Sequence, residues 1–166
     1  MEKDKLTILG LDLSLNCSGY AVVEVQNGKS KLLESGIVKA NPKHNLNQKL
    51  KRITSHLQRV YWDHEIDMIV RENSFVRFNK ATKALERTVG AVYHIFDVEI
   101  EEIAPQKIKK LLGEAKSKND VESSVRKLLN LAEDFSFKSN DESDACGVAL
   151  AWAIENKYLG GIESEN

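Results

Sequence analysis

The sequence has no apolar run long enough to span a membrane, so a transmembrane helix is excluded. It has only two cysteines, Cys17 and Cys146, too few for a disulfide framework or a zinc pattern. A reducing, cytoplasmic setting is the simple expectation. The four histidines, His44, His56, His64 and His94, show no metal-ligand spacing and read as surface residues. There is no excess of one charge: the net value is −1, so any nucleic-acid contact must rest on a local basic face. Internal repeats and dividing linkers are absent. The charged opening Met1-Glu2-Lys3-Asp4-Lys5 runs straight into an apolar stretch, so no signal peptide is expected. What remains is a chain of 166 residues, 42% hydrophobic and 30% charged, enough for one domain with a full core. Residues 1–159 are expected to form that domain and 160–166 a disordered tail.

The informative stretch is Thr7 to Val23. Ile8 to Leu13 barely alternates and reads as a strand buried on both faces. Ser14, Asn16, Ser18 and Gly19 supply turn chemistry, and Tyr20 to Val25 reads as the returning strand. Asn27-Gly28 is a hairpin dipeptide leading to a third strand over residues 29–38. Leu50, Ile53, Leu57 and Val60 recur at helical spacing from Leu46 to near Trp62. Asp67 to Val70 is a short buried strand, Lys80 to Phe96 a second helix, and Val98 to Ile103 a fifth strand. Pro105 opens a short helix. Residues 116–119 read as a polar loop, Asp120 to Leu131 as a helix, and Asp141 to Tyr158 as the last helix. The expected architecture is α/β: a mixed five-stranded sheet, three strands antiparallel and two parallel, with helices on its faces.

Acids break the local pattern in three places. Asp12 ends an apolar strand, where an unmet carboxylate is expensive. Glu72 follows the fourth strand. Asp141 and Asp144 open the last helix at i, i+3, on one face. If the first and fourth strands are parallel neighbours, Asp12 and Glu72 leave the sheet at one end, and a helix starting there adds the other two. Four carboxylates in one pocket call for divalent cations. All-oxygen donors favour Mg²⁺ or Mn²⁺ over zinc. Two such ions carry out in-line phosphodiester hydrolysis, one activating water and the other stabilising the departing oxygen. Taken singly, Asp141 is also an ordinary acid at a helix start, and Glu72 a solvated strand end.

Ile8 to Ser14 with Gly19 to Val22 resembles the opening motif of RuvC-type Holliday junction resolvases. Val70 to Phe75 resembles their second acidic motif, Ile103 to Lys110 their segment before a basic loop, and Asp141 to Ala151 their closing acidic helix. The chain is most similar to the small phage-encoded members, although Leu13-Ser14 stands where the family often has Pro-Gly. The resemblance implies an RNase H-like fold, a homodimer and paired nicking of four-way DNA junctions. It implies Asp12, Glu72, Asp141 and Asp144 as catalytic metal ligands for two Mg²⁺ or Mn²⁺ ions, and 5′-phosphate and 3′-hydroxyl products.

For the DNA, two basic clusters flank the expected pocket: Arg77, Lys80, Lys83 and Arg87, then Lys107, Lys109, Lys110, Lys116 and Lys118. Lysines and arginines gathered on one side are what phosphate binding needs. Lys109 and Lys118 match basic positions that the family uses near the scissile phosphate, and Phe75 the place of an aromatic that pushes into the junction. A two-fold dimer suits a junction of two-fold symmetry. The Leu85 to Phe96 face, with Gly90 and Ala91, is the candidate interface, and packing on the chain's own sheet is its plain alternative. A related nuclease acting on other branched or single-stranded DNA is an alternative within the same class, and two functions outside it fit parts of the sequence. One is a single lobe of an actin-type nucleotide-binding protein, whose phosphate loop Gly10 to Ser14 also resembles. The other is a branched-DNA-binding module that does not cut.

Overall fold

A computed structural model of the chain describes residues 5–73, 80–113 and 118–161, with the backbone alone at 118 and 119. Its sheet is built from β1 (Lys5–Asp12), β2 (Cys17–Gln26), β3 (Lys29–Lys39), β4 (Met68–Glu72) and β5 (Ile100–Ile103), in the order β3-β2-β1-β4-β5. β1 pairs antiparallel with β2, and β2 with β3; β1–β4 and β4–β5 are parallel. This is the mixed architecture that the sequence pattern implies. The helices are α1 (Leu46–Asp63), α2 (Lys80–Ile95), α3 (Pro105–Leu111), α4 (Lys118–Leu128) and α5 (Asn140–Glu155).

Local chemistry explains the joints. Asn27 and Gly28 both take positive φ, 52° and 72°, the geometry that lets a two-residue turn follow the twist of its strands. Ser14 knots the turn after Asp12: its hydroxyl donates to the Cys17 carbonyl at 2.7 Å and accepts from the Cys17 N–H at 3.1 Å. Ser18 closes the same turn by donating to the Ser14 carbonyl at 2.6 Å. Asn45 and Gln48 form a reciprocal capping box at the start of α1.

The sheet separates two apolar clusters. Alternation along the strands sends Ile8, Ala21, Val23, Val70 and Ile103 to the α5 side and Leu9, Leu11, Tyr20, Val22 and Ile69 to the α1 side. α5 lies between the sheet and α3–α4 and is buried from Ala145 to Ala153. It can approach because the sheet offers glycines beneath it. A Cβ at Gly10 would stand 2.3 Å from the Ala145 carbonyl oxygen, and one at Gly19 only 1.8 Å from that of Asp141.

Five expectations are corrected. β5 begins at Ile100 rather than Val98, and α4 already includes Lys118, where a loop is expected. α4 stops at Leu128 and α5 at Glu155, since Asn130 (φ 49°) and Lys157 (φ 64°) turn the chain left-handed just beyond. The Leu85–Phe96 face of α2 is not free for a partner: Val92 and Phe96 are buried in the α1-side core, with Leu85 and Val89 packed against it. Gly90 sits instead on the open side, with nothing within 4 Å of an added Cβ. The expected tail falls largely on 162–166, outside the described residues.

Candidate active site

Strand parity and register place the acids. Asp12 lies two residues beyond Gly10 and four beyond Ile8, so it shares their α5-facing side of β1. Parallel pairing sets Leu11 opposite Arg71, which brings Asp12 and Glu72 level at the same end of the sheet. Glu72 follows Val70 by two and also faces α5. Asp12 is paired with Gly19 on β2, and the backbone of Asp141 rests directly on Gly19. One helical turn further on, Ala145 rests on Gly10. The first turn of α5 therefore lies across the ends of β1 and β2. Asp144, one residue short of a full turn beyond Asp141, joins Glu72, Pro105, Ile108, Lys109 and Val121 in lining a cleft of about 180 Å³.

α5 is delivered to this place by several restraints. Ser139 caps it, accepting from the Asp141 N–H at 3.2 Å, and its hydroxyl also donates to an Asp141 carboxylate oxygen at 3.2 Å. Glu142 turns the other way and is 3% exposed. It accepts from the Ser35 hydroxyl at 2.7 Å and from the Lys138 N–H at 2.6 Å, tying α5 to β3 and to the loop that leads in. Arg126 of α4 braces that loop through the Phe135 carbonyl at 2.8 Å and lies over the Phe137 ring. At the end of β4, Arg71 points to the opposite side of the sheet from Glu72. It pairs with Glu102 at 2.5 Å and donates to the Glu72 carbonyl at 3.2 Å. The Cys17 thiol stands beside Asp141, and burial together with that carboxylate pushes its pKa up. It remains a neutral thiol.

Of the basic residues singled out in the sequence, Lys109 lines the cleft. Lys110 is exposed on the same short helix, and Lys80, Lys83 and Arg87 are exposed on α2. Lys107 is drawn away into an ion pair with Glu155 at the far end of α5. Phe75, Arg77, Lys116 and the Lys118 side chain lie outside the described residues. Sequence reasoning passed over Glu142, Ser139 and Arg71. Glu142 is one of three acids in a single turn, and nothing in the sequence says which of them turns inward.

All four acids are oxygen donors, and the cleft has neither thiolate nor imidazole in its lining, which suits a hard divalent ion. Among the described residues no three Asp, Glu, His or Cys side chains already stand close enough to cage a metal. The fit is therefore one of donor type and shared location.

Comparison with known proteins gives consistent results. A family model described as "Crossover junction endodeoxyribonuclease RuvC" matches residues 8–152. A crossover junction endodeoxyribonuclease RuvC from Rickettsia bellii is 30% identical over 158 residues, covering 92% of this chain and all of the relative. Among solved structures, T. thermophilus RuvC in complex with a Holliday junction substrate superposes with a TM-score of 0.82 at 22% identity, over 92% of this chain and 96% of the other. A yeast mitochondrial Holliday junction resolvase gives 0.67 at 13% identity, covering 92% and 81%. The two structural likenesses speak to the fold, which is the RNase H-like one.

Proposed function

The chain belongs to the RuvC family of crossover junction endodeoxyribonucleases, and from that membership we propose that it nicks four-way DNA junctions symmetrically as a homodimer. Nucleases of this family are metal-dependent. In our reading Asp12, Glu72, Asp141 and Asp144 hold two Mg²⁺ or Mn²⁺ ions. When bound, these would supply an activated water and neutralise charge at the scissile phosphate, leaving 5′-phosphate and 3′-hydroxyl ends.

The observation that carries the reading is the convergence of acids from β1, β4 and α5 on one end and one side of the sheet. Each residue has a separate task. Asp12 and Glu72 are fixed by strand register and would hold an ion over the sheet end, where it would attract the reacting phosphate. Asp141 and Asp144 approach from the helix and close the other side. Lys109, in the same cleft, offers its ammonium to a phosphate oxygen, and Lys80, Lys83 and Arg87 track the backbone beyond it. Lys118 and Phe75 keep the DNA-contact roles that the family resemblance gives them, and Lys110, Lys116 and Arg77 those that their basic clusters suggest. Lys107 is a weaker candidate, because its partner Glu155 must release it first. A cytoplasmic location belongs to the same proposal, and no helix among the described residues is long and apolar enough to cross a membrane. The family match across residues 8–152 favours this reading over a lone actin-type lobe.

The test is a synthetic four-way junction, labelled on each strand in turn, incubated with the purified full chain and Mg²⁺. The expected result is paired cuts at symmetric positions, sealable by DNA ligase, stopped by a chelator and absent in Asp12→Asn, which still binds. Binding without cutting by the wild-type chain, in Mg²⁺ and in Mn²⁺, would support the non-catalytic module instead.

A further inference from the structure

Between Ser35 and Trp62 the sequence has no Asp or Glu, but it has Lys39, Lys43, Lys49, Lys51, Arg52 and Arg59. The fold brings the first part of this stretch to the catalytic end of the molecule. Lys39 ends β3 opposite Cys17, the residue beside Asp141. The Ala40 N–H donates to the Asn16 carbonyl at 2.8 Å, which pins the β3–α1 connection to the turn that follows Asp12. In α1, His56 packs on Tyr20 of β2 with ring centroids 4.9 Å apart, and Arg59 reaches Glu34 of β3. Arg52, one turn before His56, shares that side of the helix. Lys138 arrives from the loop before α5; burial chiefly, then Arg59, lowers the His56 pKa, and Arg52 and Lys138 are near enough to add to that.

Lys39, Lys43, Lys51, Arg52 and Lys138 are all exposed. Arg59 is neutralised by Glu34 and Asp63, each at 2.7 Å. Among the described residues no carboxylate makes an ion pair with any of the other five. Three elements thus converge to set unneutralised positive charge beside the acidic cleft, on the β3 side of it. The strip also has no apolar centre, since the exposed large hydrophobic side chains among the described residues are Trp62, Tyr93 and Tyr158. A protein partner would seek such a centre, whereas a phosphate backbone needs only spaced cations.

We propose that Lys39, Arg52 and Lys138 form a second phosphate-contact surface, which grips the DNA arm on the β3 side of the cleft. This rests on the junction-cutting reading above. β3 lies two strand spacings from β1, roughly 10 Å, or about three base rises of 3.4 Å. An arm cut at Asp12 is thus within reach of the strip within a few nucleotides of the cut. With Lys109 in the cleft, the DNA is held both at the scissile phosphate and beside it.

The experiment measures junction binding by fluorescence anisotropy over a salt series, using the full chain with Glu72→Gln so that nothing is cut. Adding Lys39→Glu, Arg52→Glu and Lys138→Glu should lower the slope of log K against log salt by roughly 2–3, at about 0.9 per lost contact, and weaken binding at least tenfold. The matched control adds Lys29→Glu, Lys31→Glu and Lys127→Glu. These sit at the other end of β3 and on α4 beside it, where Ser30 donates to the Leu128 carbonyl, and the slope should hold. Should the charge reversals unfold the chain, Lys39→Gln, Arg52→Gln and Lys138→Gln should give the same fall. An unchanged slope in the test set, or an equal fall in both sets, would overturn the second surface while leaving the nuclease reading intact. Failure of the parent chain to bind any junction would bring down both.

Discussion

Glu34, on the α1 side of the sheet, and Asp12 and Glu72, on the α5 side, are all strand carboxylates in a largely apolar setting, separated by one layer of backbone. Glu34 is surrounded by the chain's own donors. Burial works to raise its pKa, but Arg59, His64 and the Tyr20 hydroxyl more than offset this and hold it at about 2. On the other side, glycines let the backbone of α5 settle on the sheet end that bears Asp12. The first arrangement compensates a charge within the chain and contributes to stability. The second gathers carboxylates of separate elements, with Lys109 beside them, around an open cleft, and in our proposal that arrangement serves a cation more than it serves stability.

The sharpest way to break this contrast is to neutralise each side separately. Glu72→Gln or Asp12→Asn should lower junction cutting roughly a thousandfold or more, with a thermal midpoint equal to or above that of wild type. Glu34→Gln should do the reverse, keeping the cutting rate while the midpoint falls by several degrees. Loss of cutting in Glu34→Gln without destabilisation would erase the distinction.

Glycine substitutions come next. Gly19→Ala places a methyl 1.8 Å from the Asp141 carbonyl oxygen, a contact only backbone movement can relieve. It should cost about 1–3 kcal/mol in denaturant unfolding and reduce cutting more than tenfold. Gly90→Ala, with open space around it, should raise stability by about 0.5–1 kcal/mol through helix propensity alone.

Glu142→Gln tests the positioning of α5. An amide retains one acceptor oxygen, so either the Lys138 N–H loses its partner or the Ser35 hydroxyl must turn from donor to acceptor. The expected loss is about 1–3 kcal/mol, with cutting recovering in part as Mg²⁺ is raised. Full activity at low Mg²⁺ would show that the tether does not position Asp141.

The smallest effect is in pH. The Glu34 carboxyl titrates near 2 in the fold against 4.5 as its ordinary value. Its depressed pKa means that the stability it contributes is fully present above about pH 4.5 and is lost as pH falls toward 2. Acid unfolding curves of wild type and Glu34→Gln should therefore converge at low pH; parallel curves would refute the compensation.

The sequence revealed the fold wherever a residue's setting was local. The unbroken apolar run around Asp12 marked a buried strand, Asn27-Gly28 marked the hairpin, and the spacing of Ile53, Leu57 and Val60 marked α1. It was silent where the outcome depended on contacts between distant parts. That Val92 and Phe96 face the chain's own core, and that Glu155 draws Lys107 aside, follow from packing no periodicity encodes. The inward turn of Glu142 depends on Ser35, brought near only once α5 settles on Gly19. The four acids were legible as a set because each broke its local pattern; their common side of the sheet became visible only through register.

The central claim is that carboxylates from β1, β4 and α5 act together on a divalent cation. Its most direct test is to count Mn²⁺ bound to the full chain by electron paramagnetic resonance, in wild type, Asp12→Asn and Asp144→Asn. The account predicts bound Mn²⁺ in wild type, with occupancy lost in both variants although they alter elements far apart in the chain. Equal binding in all three would contradict it.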